Sequence, residues 1–534
     1  MKNTTERPGH YDVAILGSGF GGSILARALR RQKKKVLLLE RGRHPRFALG
    51  ESATPLASLS LERLAARYRL PDLHDLAAYG RWLEHLPHLR RGLKRGFTFF
   101  AHQRGKPYSN SVFNEHRLMV AASPNDAVAD AHWLRRDVDD HLVRRAIDEG
   151  VDYFDRTVVE DLEVTDRGVH LVAHAEESGL HHFSADFLVD ATGPGGALAR
   201  KLEIASRADR IPFSTALLFG HFENLEPFGS AAALGGGEVH LGDGPYPEEK
   251  AAVHHLLHGG WMYVLPFDHG VASVGFVLRH DALPGSFEQM ALDPEKAMRQ
   301  LLAQYPTLEA QFRGARALVG PTFVPRIQHR LVRAAGPRYF LLPHAFAFYD
   351  PLFSTGIAWT LLAVERLATL LDGRYGDYKE YNQLLQQEAD QIETLIEAAW
   401  LAMDDFQHFK GVALLYFAAA SFAETQQRLH QSSAARPDAW QGFLGAGDPV
   451  LRSLFFQARD RLKSAKSPLA PRGARDFTPW VLERIAPRDL CGFDRPKMPN
   501  LYPVDLELLV ERAELLAMEP AEVFAALPRL RGST

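Results

Sequence analysis

Val13 to Leu16 form an unbroken apolar run, and beyond them an amphipathic run reaches Leu29. The first pattern predicts a buried parallel strand, the second a helix packed against it. Between the two, Gly17, Gly19 and Gly22 stand in G-x-G-x-x-G spacing, with Phe20 and Gly21 inside it. Gly17 allows a sharp turn, Gly19 leaves bare backbone that a pyrophosphate can approach, and Gly22 lets the helix lie close to the strand. The N–H groups at the helix N-terminus then face the phosphates. A second apolar run, Val36 to Leu39, follows at βαβ distance and ends in Glu40, placed to bind a ribose hydroxyl. The opening of the chain therefore predicts a dinucleotide-binding βαβ unit.

Further along, a helix is expected near Leu59 to Tyr68, and Leu93 to Phe100 reads as a strand opened by Lys94. A helix beginning at Arg135 runs to Glu149 and stops at Gly150. Val158 to Val172 and Phe187 to Asp190 read as strands, the latter leading into Ala191-Thr192-Gly193-Pro194-Gly195. From Ile211 to Pro325 alternating stretches predict a β-rich layer interrupted by one helix, Pro294 to Tyr305. The apolar-periodic run Ile357 to Leu371 predicts a helix capped by Ser354 or Thr355. The remainder is helical: Ile392, Leu395, Ile396, Ala399, Trp400 and Met403 share one face, and Val412 to Ala423 is apolar all round. Ser464 to Arg475 reads as a linker, and Val504 to Met518 as a last helix.

At 534 residues with 46% apolar content, the chain has room for two or three domains and a large core. Its 62 basic and 65 acidic residues leave a net charge of −3, which gives no nucleic-acid footprint. The single cysteine, Cys491, excludes an internal disulfide and a cysteine-based metal site. His254, His255 and His258 lack a carboxylate partner at metal spacing, so no metal is assigned. Met1 to His10 is polar, and the longest apolar run is too short for a transmembrane segment. A cytoplasmic protein is expected.

Gly50-Glu51-Ser52-Ala53-Thr54-Pro55 resembles the G-E-S-x-x-P segment of the flavin-dependent halogenases, the tryptophan halogenase-like family. That family lies within the flavoproteins built like p-hydroxybenzoate hydroxylase. Lys94-Arg95-Gly96-Phe97-Thr98-Phe99 is similar to the family's K-x-G-x-x-F, and Arg135 to Leu142 to its R-x-x-x-D-x-x-L. Asp350-Pro351-Leu352-Phe353-Ser354-Thr355-Gly356 is similar to D-P-x-F-S-T-G. Trp261 to Pro266 resembles W-x-W-x-I-P, with Tyr263 at the second aromatic position and Leu265 for isoleucine. Pro343-His344 stands where the family reads Gly-Asp, the Asp binding the ribityl chain. Phe353 stands where tryptophan halogenases carry a glutamate, which argues against free tryptophan as substrate.

The resemblance implies an α/β fold: a two-dinucleotide-type, FAD-binding Rossmann-like domain with an inserted β-rich substrate domain and a helical C-terminal region. The expected division is 1–200 and 331–375 for the FAD domain, 201–330 for the β-rich domain and 376–534 for the helices. FAD would be held by Gly17, Gly19, Phe20, Gly21, Gly22, Glu40, Arg41, Ser52, Arg135, Thr355 and Gly356. Ser52 belongs to a strap running along the flavin, and backbone at Thr355–Gly356 lies near both flavin and halide. A separate reductase would supply reduced FAD, and O2 and halide would give hypohalous acid. Lys94, the candidate catalytic residue, would direct the halogen to an aromatic or electron-rich small molecule. The alternatives are a flavin monooxygenase or reductase without halide chemistry, favoured by Tyr263, and a non-catalytic flavoprotein, favoured by Pro343-His344.

Overall fold

Two eight-stranded sheets and a thick helical layer carry the chain in the computed structural model, which describes residues 9–374, 376–429, 440, 442–465 and 476–531. The first elements are β1 (Gly9–Leu16), α1 (Phe20–Arg31) and β2 (Val36–Leu39). They are followed by the helices α2 (Pro55–Tyr68), α3 (Pro71–Leu76) and α4 (Tyr79–His85). Next come β3 (Arg91–Lys94), β4 (Gly96–Ala101), β5 (Arg117–Ala121), β6 (Asp130–Trp133) and α5 (Arg135–Asp148). β7 (Asp152–Phe154), β8 (Thr157–Thr165), β9 (Gly168–Ala175) and β10 (Gly179–Asp190) complete this part.

The first sheet places β10, β1, β2 and β7 side by side in parallel, with Tyr339–Leu341 parallel to β10 on its other side. Val13, Ala14, Ile15 and Leu16 are all buried, as a strand covered on both faces requires. β8 and β9 form an antiparallel hairpin on β10. The stretch expected as one strand, Val158 to Val172, is thus two, turned at Asp166 and Arg167.

The second sheet runs Arg316–Val324, Thr215–Glu223, Val271–Arg279, Gly260–Pro266, Ala252–Leu257, β4, β5 and Leu501–Tyr502. It draws β4 and β5 from the first 200 residues, and its last strand from the far end of the chain. The Pro294–Leu302 helix is not alone in the β-rich region. Phe228–Leu234, Phe287–Leu292 and Pro306–Gln311 are helical too, each short enough to lack the long periodicity that marks a helix in sequence.

Leu93 to Phe100 is also two strands. The backbone of Arg95 leaves the β3 ladder: its N–H donates to Lys250 O, and its carbonyl accepts from Ala122 N, in register with the β4–β5 pairing. Lys94 therefore closes β3 rather than opening a strand, and β4 departs into the large sheet. Helices Tyr378–Ala402 and Phe406–Leu429 pack on each other beyond the helix Thr355–Leu370. A buried pair joins these layers. Glu388 accepts from Arg366 at 2.6 and 2.8 Å, from Trp359 Nε1 at 2.8 Å and from Phe443 N at 2.6 Å, so the carboxylate is fully partnered. The expected helix Val504 to Met518 breaks into Leu506–Glu511 and a 3-10 turn, Ala513–Leu516. The expected linker lies outside the described residues from 466 to 475.

Candidate functional site

At the C-terminal ends of β1 and β2 the chain makes a turn that only small residues fit. Gly17 has φ +96°, and a Cβ there would lie 2.7 Å from Ala191 O. A Cβ on Gly22 would stand 2.0 Å from Gly17 O, so α1 rests directly on the turn. Gly21 meets Thr360 Cγ2 and Leu342 Cδ1 in the same way, while Phe20 is buried under Trp133. At Gly19 a Cβ would reach only the ends of Arg135, Asp139 and Arg46, at 3.6 to 3.9 Å. No side chain caps α1 and no acid sits in its first turn, so the leading amides are available to an anion.

Glu40 is buried just past β2, and its carboxylate accepts from Ser18 N and Oγ (both 3.0 Å), Gly42 N (2.8 Å) and Arg46 Nη2 (3.2 Å). Burial opposes its charge, but Arg46 and the amides outweigh it and hold the carboxyl below its ordinary range. Arg41, expected at the cofactor, is exposed, and the arginine that turns back onto Glu40 is Arg46.

The Gly50 to Thr54 strap is bound edge-on to β6. Trp133 N donates to Glu51 O (2.6 Å), Ala53 N to Ala131 O (3.2 Å), and Ser52 pairs with His132. Ser52 is buried and its Oγ has no partner. Arg135, at the start of α5, grips the strap from the other side through Leu49 O (2.6 Å) and Gly50 O (3.2 Å). Its remaining N–H groups are held by Asp139 at 2.9 and 2.7 Å, and its guanidinium covers the Phe20 ring.

β3 lies on the opposite edge of β6, and Lys94 pairs with Asp130 in that ladder. Lys94 is fully buried (0% exposed); its Nζ donates to the strap carbonyl Ala53 O at 2.6 Å and stands 4.1 Å from the centre of the Phe97 ring. One of three ammonium donors is thereby satisfied. Asp130 is also buried: Oδ1 accepts from Ser58 Oγ (2.8 Å), while Oδ2 has no partner. The two charges interact without forming a direct ion pair. Burial pushes the lysine well down, against the pull of Asp130, and pushes the carboxyl up, against Lys94 and Ser58.

The helix Thr355–Leu370 opens nearby. Its N-cap Ser354 sits at φ +52° and makes no side-chain cap bond, contrary to the expected capping, because a left-handed residue turns its hydroxyl away from the first turn's amides. A Cβ on Gly356 would lie 2.6 Å from His344 Nε2, a buried nitrogen without a partner. Burial, with help from His329 and Arg135, depresses the His344 pKa to about 3, so the ring is neutral.

The model of the family described as tryptophan halogenase matches residues 108–406, more than half of the chain. The chain belongs to the tryptophan halogenase family. A NAD(P)-binding Rossmann-like domain also matches residues 15–55, the turn just described. Monodechloroaminopyrrolnitrin halogenase PrnC of Pseudomonas fluorescens is 28% identical over 411 residues, covering 74% of this chain and 69% of the relative. Tetracycline 7-halogenase of Kitasatospora aureofaciens is 27% identical over 431 residues, covering 78% and 74%. The crystal structure of halogenase PltM in complex with phloroglucinol and FAD aligns with TM-score 0.77 and 25% identity, over 89% of this chain and 95% of that one.

As in this family, the cofactor is FAD, and the residues fit it: the uncapped α1 terminus and Arg46 suit the pyrophosphate, Glu40 the ribose, and the unpartnered His344 Nε2 a hydroxyl of the ribityl chain. Beside the Lys94 pair this halogenase-family chain forms a partly open cavity of about 200 Å³, which Asp130 lines and Lys94 does not. Phe97, Asp130 and Ser58 form one wall, and Tyr416, Phe417, Phe443, Leu490 and Phe493 others. Phe353 is fully buried, stacked 4.5 Å from Tyr416 and bonded through its carbonyl to the Tyr416 hydroxyl. Sequence reasoning missed Asp130, Ser58 and the whole wall beyond residue 406. The alternation Ala129-Asp130-Ala131-His132-Trp133 marks a strand but sets Asp130 on its polar face, so it gave no sign that the carboxylate is buried. Nothing local marked the distant wall.

Proposed function

We propose that the protein halogenates an aromatic small molecule other than free tryptophan, taking reduced FAD from a separate reductase in the cytoplasm. The carrying observation is Lys94, fully buried behind two residues that line the cavity, Phe97 and Asp130, with its Nζ bonded to the strap carbonyl of Ala53. Bound reduced FAD supplies the electrons that, with O2 and halide, yield hypohalous acid. The protein's share is placement. The amides of Thr355 and Gly356 hold the halide at a helix terminus with no competing acid. The strap and Arg135 separate the cofactor from the cavity. Lys94, desolvated and with two uncommitted donors, either hydrogen-bonds the hypohalous acid or, as the free amine, carries the halogen.

The test is product analysis with reduced FAD, O2 and bromide or chloride over a panel of electron-rich aromatics. A halogenated ring is expected. Hydroxylated product without halogen supports the monooxygenase reading instead, for which Tyr263, buried within the second sheet, is the observation. Failure to take up FAD overturns both.

A further inference from the structure

Asp130 is not needed to hold the cofactor, and the family resemblance gave it no role. Its place is nonetheless unusual. Asp130, 4% exposed, lines a mainly apolar cavity and keeps one buried carboxylate oxygen, Oδ2, without a partner. Leaving a buried acceptor unmade costs stability, so such a group calls for an explanation. The other charges on the same wall neutralise one another: Arg428 bonds Glu62 and Glu424, both at 2.6 Å, and Arg81 bonds Glu62 at 2.8 Å. Among the buried polar atoms lining this cavity in the described residues, only Asp130 Oδ2 and Ser123 Oγ lack a partner. Ser58 fixes the Asp130 carboxylate through Oδ1, which leaves Oδ2 as the oxygen still able to accept a hydrogen bond.

We propose that Asp130 anchors the substrate, its Oδ2 accepting a hydrogen bond from an O–H or N–H carried on the aromatic ring. The inference rests on the halogenation reading and names which aromatic the cavity takes. A ring without a donor leaves Oδ2 desolvated and unpaired, and the site then discriminates against it. A ring with one is held against the wall behind which Lys94 pairs with Asp130 across the β3–β6 ladder. Burial raises the basicity of the carboxylate, which strengthens the bond it accepts.

The probes are phloroglucinol and 1,3,5-trimethoxybenzene, equally electron-rich rings with and without O–H donors. Calorimetry on the FAD-loaded protein is expected to show phloroglucinol binding about 10- to 100-fold tighter, the range of a hydrogen bond to a charged group. Asp130→Asn, nearly isosteric and checked for folding by thermal melting, is expected to bring that ratio close to one. Equal affinity of the wild type for both probes overturns the inference without reference to any variant, as does a ratio that Asp130→Asn leaves unchanged. Product analysis forms a separate arm. Selective binding of phloroglucinol without any halogenated product would sink the halogenation reading while leaving Asp130 as the anchor.

Discussion

The nucleotide turn and the reaction cavity are built by opposite means. In the turn, backbone meets backbone: Gly22 rests on Gly17 O, and Gly17 on Ala191 O. In the cavity, side chains from widely separated segments converge: Ser58, Phe97 and Asp130 face Tyr416, Phe443 and Phe493. A backbone-built site tolerates almost no added atom, but its requirements fall within one short stretch of sequence. A side-chain-built site tolerates substitution of its wall, because each residue contributes one surface, and its specificity is correspondingly easy to change. The first suits a cofactor shared across a family, the second a substrate that differs from member to member.

The sharpest test of that contrast lies within the turn. Gly22→Ala puts a methyl 2.0 Å from a carbonyl oxygen, and α1 cannot shift without unpacking from the sheet. Loss of folded protein, seen by circular dichroism and thermal melting, is expected. Gly19→Val is expected to fold, since its Cβ meets only side-chain ends at 3.6 Å and beyond. Its branched side chain covers the α1 amides, and FAD affinity should fall by about 100-fold or more. A Gly22→Ala protein as stable as the wild type would break the account of the turn.

Beside the cavity the largest effect belongs to Lys94. Lys94→Ala is expected to cut halogenation by about 10²- to 10⁴-fold, while oxidation of reduced FAD by O2 continues. It also leaves Ala53 O without its donor, with a stability cost of about 1–3 kcal/mol. Lys94→Arg should fail as well, because the guanidinium is larger and does not deprotonate. Product formation by either variant at the wild-type rate would remove Lys94 from the chemistry.

What was legible follows the same division. The βαβ opening, the strap and the helix from Arg135 could be read because each depends on neighbours in sequence. The end of β3 could not, since Arg95 breaks the run by bonding to Lys250 and Ala122, neither adjacent in sequence to β3. Ser354 invited a cap, but its left-handed backbone, set by the Asp350–Phe353 turn before it, moves the hydroxyl away. Asp130 was invisible as a site residue because its importance comes from Lys94 on another strand and from a wall contributed by the C-terminal helices.

His344 sharpens the comparison, as a side chain in a site otherwise made of backbone. If its Nε2 serves the ribityl chain, His344→Ala should weaken FAD by about 1–2 kcal/mol, measured by calorimetry. The same variant has a signature in stability. The ring stays neutral in the folded protein down to about pH 3, whereas its ordinary value is 6.5. Between those values the unfolded chain binds a proton that the folded one does not, so stability falls as pH drops from 6.5 toward 3. Removing the imidazole should flatten that slope by the contribution of one group. An unchanged slope would show that His344 is solvated in solution.

The smallest effect separates two arginines. Arg41 follows Glu40 directly and is the sequence choice for the cofactor, yet it is exposed. Arg46 reaches Glu40 Oε2 at 3.2 Å with its side chain 32% exposed, and its guanidinium end is 3.9 Å from where a Gly19 Cβ would lie. Arg46→Ala therefore withdraws a positive charge from the pyrophosphate position, but in a place that water partly screens. An effect of about 0.2–1 kcal/mol is expected, larger at low salt. Arg41→Ala should stay within about 0.5 kcal/mol of the wild type at any salt concentration. If the two variants lose FAD affinity equally and with the same salt dependence, the field at the turn is set by net charge alone, and the placement of Arg46 on Glu40 has no part in cofactor binding.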